Sequence, residues 1–234
     1  MKFFTKQNII KLSIITVLIA VMITFTALVY SYNKDALPID AVIRDFAYQI
    51  RGQKGGVIYW ITRIVTELGD YTGVFIVVIL VGIFTKFDER FVMVALAALL
   101  MHFANSTLKH IVLRPRPIEE FRWQYEGSTS FPSGHSATAG VLYTTSLIYV
   151  LNSNLSKKIK LAAKIVLPLT ILVVMATRII LGVHYFSDVV TGASFGAIIA
   201  IFCSFFLPLA EKVYDWVMGK FKKLIKKEKK EANN

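Results

Sequence analysis

At 234 residues, with 55% apolar side chains and only 18% charged ones, the chain is too apolar for an ordinary soluble domain, in which about a quarter of residues are charged. A mean hydropathy of +0.58 points to a membrane protein, and the single cysteine, Cys203, excludes an intrachain disulfide and reads as a packing residue. The net charge of +12 admits a nucleic-acid partner, but the position of the basic residues argues for membrane topology instead.

The first apolar run, 10–30, follows lysines as a secretory signal would. Its core exceeds the roughly 7 to 15 residues of a signal, and no small-residue cleavage pattern follows closely, so it is expected to be an uncleaved first span. The stretch 33–56 is too polar to cross a bilayer. Within it Ile39, Val42, Ile43, Phe46 and Ile50 recur at near-helical spacing, which predicts a short external amphipathic helix at the interface. The second run, 57–85, is interrupted at Leu68-Gly69-Asp70-Tyr71. It is either one long span or a shorter one starting near Tyr71 with 57–66 as a partly embedded lead-in.

Four further runs follow at 91–113, 133–151, 159–181 and 186–207, each close to the roughly 20 residues a spanning helix needs. No internal repeat is present. The expected fold is all-α, a polytopic bundle of six transmembrane helices over 1–210, followed by a basic tail over 211–234.

With the N-terminus inside, sixteen Lys and Arg lie on the cytoplasmic side, seven outside and four within or at the ends of spans. This bias places both termini in the cytoplasm. The tail KFKKLIKKEKKEANN reads as a solvated basic end that enforces this topology and is compatible with attraction to anionic lipid headgroups. It lacks the aromatic and base-reading residues of a nucleic-acid binder.

Ionisable residues at span edges are costly and usually mark function. Here they gather in three groups: Lys109 with Arg116; His135 in Pro132-Ser133-Gly134-His135; and Thr177, Arg178, His184 and Asp188. The topology puts all three groups at the external face. Lys109, Arg116 and Arg178 supply three positive charges, two of them forks suited to a tetrahedral oxyanion. Ser133 and Gly134 stand where the fourth helix begins, and free N–H groups at a helix start bind phosphate. Together these residues describe a phosphate cradle.

His184 and Asp188 are one helical turn apart, so the carboxylate can hold one ring nitrogen and leave the other as base or nucleophile. His135, beside the cradle, suits a general acid. Arg114 is expected to pair with the acidic loop of Glu119, Glu120 and Glu126, or with a headgroup. Taken singly, Lys109 would snorkel to headgroups and either histidine would be structural. Their joint order on one face argues otherwise.

These residues resemble the three-part signature of the type 2 phosphatidic acid phosphatase family: K-x6-RP, here Lys109 to Pro117; PSGH, here Pro132 to His135; and SR-x5-H-x3-D, here Thr177 to Asp188. Thr177 stands where the family usually has Ser, retaining a hydroxyl. The resemblance implies that His184 attacks phosphorus, Asp188 orients it and His135 protonates the leaving oxygen. It further implies that Lys109, Arg116, Ser133, Gly134, Thr177 and Arg178 hold the phosphate, with no cofactor and no metal. The implied substrate is a membrane lipid phosphate at the outer face of the cell membrane, such as phosphatidylglycerol phosphate, phosphatidic acid or undecaprenyl diphosphate. A phosphotransferase using the same phosphohistidine, and a non-enzymatic lipid binder or transporter, are the alternative readings.

Overall fold

The computed structural model describes residues 5–231, and the chain is helical with short connections. α1 (Lys6–Ser31) opens at Thr5, whose hydroxyl accepts from the Asn8 N–H at 3.2 Å. α2 (Pro38–Ile50) begins with a proline, which lacks the N–H that a first turn leaves unpaired. α3 (Val57–Thr66) and α4 (Tyr71–Thr85) are separated by a 3₁₀ turn, Glu67–Gly69, and bend by 54° at the break. α5 (Glu89–Val112) and α7 (Lys157–Ile180) start at Asp88 and Ser156, whose side chains accept from Arg90 and Ile159 N–H groups. α6 (Gly134–Asn152) and α8 (Phe186–Ser204) form the centre, and α9 (Leu207–Glu231) closes the described chain.

α1, α5, α7 and α8 are each long and apolar enough to cross a membrane, and the bent α3–α4 pair makes a fifth candidate. The protein is therefore an all-helical membrane protein. The fourth expected span, α6, is not among these candidates. It carries Ser136, Thr138, Thr144, Thr145 and Ser146 and is enclosed by α5, α7 and α8, so its polar groups meet protein instead of lipid.

α6 and α8 approach so closely that a Cβ added at Gly196 would lie 2.0 Å from the Ala137 carbonyl oxygen, and one at Gly192 2.4 Å from that of Ser133. Small residues allow this contact, and it brings the start of α6 against the start of α8. The second and third sequence motifs meet for that reason.

α2 has the expected helical period, and Ile39, Val42, Phe46 and Ile50 are exposed on it. Its inward face carries Asp40 and Ala47, with Ile43, against α7 and α8. α9 runs through the start of the expected basic tail, and Tyr214 donates its hydroxyl to the Phe87 carbonyl at 2.8 Å. Residues 232–234 of the expected tail lie outside the described residues.

Candidate active site

The end of α5, the 113–133 connection, the start of α6, the end of α7 and the start of α8 converge at one end of the bundle. Arg178 is fully buried near the end of α7. One of its terminal nitrogens donates to Thr66 Oγ1 at 2.9 Å, the other pairs with Glu126, and its Nε is buried without a partner. Arg116 donates to the carbonyls of Ser128 at 2.6 Å and Val183 at 2.8 Å. Glu126 Oε2 lies 3.7 Å from Arg116, so one carboxylate bridges both guanidiniums. Lys109 donates to the Thr129 carbonyl.

Ser133 caps α6, its Oγ accepting from the Ser136 N–H at 3.4 Å, while its own N–H donates to the Asp188 carbonyl at 3.1 Å. Gly134 opens the helix, and a Cβ added there would lie 3.6 Å from Asn105 Nδ2.

His184 sits in the five-residue connection between α7 and α8. Arg116 donates to its Nε2 at 3.1 Å, and a guanidinium has donors only, so Nε2 must be the unprotonated nitrogen. Nδ1 then carries the hydrogen, facing Asp188 Oδ2 at 3.4 Å. The lone pair therefore points into the cluster of cations. Burial, followed by the charges of Arg116, Lys109, Arg178 and His135, holds the His184 pKa well below the ordinary 6.5, so the ring is neutral. Burial also pulls Arg116 down to about 10, which leaves it charged at neutral pH.

Asp188 is completely buried, and its Oδ2 also accepts from the Ser130 hydroxyl and from the Tyr185 N–H at 2.8 Å. His135, on the first turn of α6, places Nε2 3.7 Å from Asp70 Oδ2 at the α3–α4 break.

Thr177 is buried behind this cluster, and its hydroxyl donates to the Val174 carbonyl at 2.6 Å, so its proton is spent within α7. Arg114 departs from expectation. It pairs neither with the acidic loop nor with a headgroup position; it is fully buried between Asp40, at 2.8 Å, and Asp188, at 2.6 Å. The loop's carboxylates could not enter that space, whereas α2 delivers Asp40 directly into it. Sequence reasoning also passed over Asp40, Asp70, Glu126 and Ser130, none of which stands at a motif spacing.

From Lys109, Gly134 and His135 a cavity of about 640 Å³ runs between α4, α5 and α6. Its walls beyond the polar mouth are Val74, Val78, Ala95, Ala98, Leu99 and Met101. Among the described residues, no group of three or more His, Cys, Asp or Glu side chains converges as metal ligands would.

A family model described as the PAP2 superfamily matches residues 89–211, just over half of the chain. The chain belongs to the PAP2 superfamily. The match spans every residue of the three motifs. Among solved structures, the fold is similar to a transmembrane PAP2-type phosphatidylglycerolphosphate phosphatase from Bacillus subtilis, with a TM-score of 0.70 and 23% identity. That alignment covers 82% of this chain and 94% of the other. Aquifex aeolicus LpxE is similar at a TM-score of 0.59 and 26% identity, over 73% of this chain and 97% of the other. No curated protein matches the sequence.

Proposed function

We propose that this PAP2 protein is a lipid phosphate phosphatase working through a phosphohistidine at His184. The observation that carries the reading is that the His184 Nε2 lone pair meets Arg116, one of three cations around the ring, and that another of them, Lys109, lines an apolar cavity together with His135. A phosphate held there keeps its lipid portion on the apolar side and its leaving oxygen beside His135.

Lys109, Arg116, Arg178 and the Gly134 N–H bind the phosphoryl oxygens, where fixed positive charge stabilises the transition state, while Ser133, its own N–H held by the Asp188 carbonyl, caps the helix start beside them. On arrival the phosphate takes the Arg116 donor and frees the His184 lone pair. Nε2 then bonds to phosphorus as the phosphorus–oxygen bond to the lipid breaks, and His135, having taken a proton from the entering phosphate monoanion, passes it to the departing oxygen. His135, now neutral, accepts a proton from water as the water oxygen attacks phosphorus. The phosphorus–nitrogen bond breaks, and His184 returns as a neutral ring. Asp188 holds Nδ1–H throughout. Thr177 in this reading braces α7 below Arg178 and does not donate to phosphate.

The cavity favours a phosphomonoester or diphosphate carried by an apolar tail, the class that includes phosphatidylglycerol phosphate, phosphatidic acid and undecaprenyl diphosphate. We place the site at the outer face of the cell membrane, with α6 as a sixth span and both termini cytoplasmic.

The deciding experiment is phosphate release from these three lipids by purified protein, beside His184→Ala. Turnover by the parent chain and a loss of at least about 1,000-fold in the variant are expected. Hydrolysis by His184→Ala at the parent rate would remove the mechanism. Transfer of the label to a lipid or sugar acceptor in place of water would make the protein a phosphotransferase.

A further inference from the structure

We infer that Asp40 and Arg114 act as positioning residues that keep Asp188 fixed and fully anionic beneath His184, which makes α2 part of the catalytic apparatus. The inference rests on the reading of His184 as nucleophile.

All five N–H donors of Arg114 are engaged. Nε donates to the Lys34 carbonyl at 3.2 Å, Nη1 to Ser187 Oγ at 2.7 Å and Asp188 Oδ1 at 2.6 Å, and Nη2 to the Asp35 carbonyl at 2.7 Å and Asp40 Oδ2 at 2.8 Å. Its guanidinium also lies 4.2 Å from the centre of the Tyr185 ring. No donor remains for phosphate, so Arg114 acts through Asp188.

Asp40 is held just as fully. Oδ1 accepts from the Ser187 N–H at 2.7 Å, and Oδ2 from the Ser187 hydroxyl at 2.8 Å and the Leu37 N–H at 3.0 Å, besides Arg114.

The charge balance gives this arrangement its catalytic meaning. Phosphoryl transfer to Nε2 leaves His184 with a cationic ring, and Asp188 is the carboxylate that faces its Nδ1–H. Had Arg114 met Asp188 alone, the buried pair would be neutral and would offer that ring little support. With Asp40 on the other side of the guanidinium, the three buried groups sum to one negative charge, available at His184. The other charged or titratable groups around His184 include Arg116, Lys109, Arg178 and His135, and the carboxylate of Glu126 is engaged by Arg116 and Arg178, so Asp188 is the carboxylate that faces the ring.

Buried ion pairs are rarely worth more to stability than the apolar residues that could replace them. Their placement against Asp188, from a helix far away in sequence, fits a role in positioning and charge. Ile39, Val42, Phe46 and Ile50 of α2 are exposed, and the face that meets α7 and α8 carries Asp40 with Ile43 and Ala47.

The test measures phosphorylation of His184 by phosphoramidate, in which Nε2 bonds to phosphorus as the phosphorus–nitrogen bond breaks and ammonia leaves. The proteins compared are the parent chain, Asp40→Asn, Arg114→Gln, the double variant, and Ser187→Ala, which removes hydrogen bonds but no charge. Asp40→Asn is expected to slow labelling at least tenfold while inhibition by inorganic phosphate stays within threefold of the parent. The double variant, with no cation left to neutralise Asp188, should label faster than Asp40→Asn alone, and Ser187→Ala should slow labelling less than Asp40→Asn.

A double variant as slow as, or slower than, Asp40→Asn overturns the inference. So does an Asp40→Asn protein that loses phosphate affinity in proportion to labelling or has no cooperative melting transition, since Asp40 would then be a structural anchor. Lipid turnover absent from a parent chain that still labels at His184 would contradict the lipid phosphatase reading and leave the roles of Asp40 and Arg114 standing. Absence of labelling in the parent chain would remove both.

Discussion

Glu126 is paired with Arg178 at the centre of the anion cradle, and its second oxygen reaches toward Arg116. A carboxylate thus occupies the guanidinium faces that a phosphate requires. It satisfies two buried cations and would compete with an anion entering between them.

Replacing Glu126 with Gln should therefore improve phosphate binding. Inorganic phosphate is expected to inhibit Glu126→Gln at about one-tenth of the concentration needed for the parent chain, the scale of a charge-assisted pair partly open to water. Weaker inhibition by phosphate would show that Glu126 holds the arginines in place and does not compete with the substrate.

The pH dependence follows from the state of His184. In the proposed mechanism the neutral ring is the nucleophile, and its pKa is held well below 6.5 by burial and the surrounding cations. Protonation competes with attack only below that lowered value, so His184 phosphorylation by p-nitrophenyl phosphate, whose leaving group needs no proton from His135, should show no half-loss near the ordinary histidine value. A half-maximal rate centred at pH 6.5 would mean that the ring titrates as a solvated histidine, and the proposed electrostatics would be wrong.

The residues proposed to form the cradle could be singled out because their chemistry is tied to spacing. Lys109 and Arg116 are seven positions apart, and His184 and Asp188 one helical turn apart, and the structure brings these groups together. Arg114 was misread because its sequence neighbours include the acidic loop, while its actual partners, Asp40 and Asp188, each lie 74 positions away in opposite directions. Period alone recovered α2 but did not show that a carboxylate lies on its buried side, because that burial depends on a cation from elsewhere. The same limit hid Glu126 and Ser130, which sit in a connection with no periodicity to read. The hydropathy signal that marks α1 and α7 fades at α6, where protein takes the place of lipid as the surroundings.

Ala98 is buried on α5 and lines the apolar part of the cavity. Ala98→Phe would fill that space while leaving Lys109, three turns further along the helix, in place. KM for a long-chain lipid phosphate should rise about tenfold or more, consistent with roughly 1.5 kcal/mol or more of lost tail burial. Turnover of a short, water-soluble phosphate ester should stay within about twofold. Equal losses on both substrates would place the tail elsewhere.

His135 is assigned the proton that leaves with the lipid oxygen, a role whose weight depends on the leaving group. An alkyl oxygen departs poorly without a proton, whereas a nitrophenolate departs readily as an anion. His135→Ala should therefore cost about 100- to 10,000-fold on a lipid alkyl phosphate, the usual range for a positioned acid, and far less on p-nitrophenyl phosphate. His184→Ala should abolish both reactions, because the nucleophile is needed whatever leaves. An equal loss on the two substrates in His135→Ala would give His135 a phosphate-holding role at the start of α6 in place of a proton-donating one.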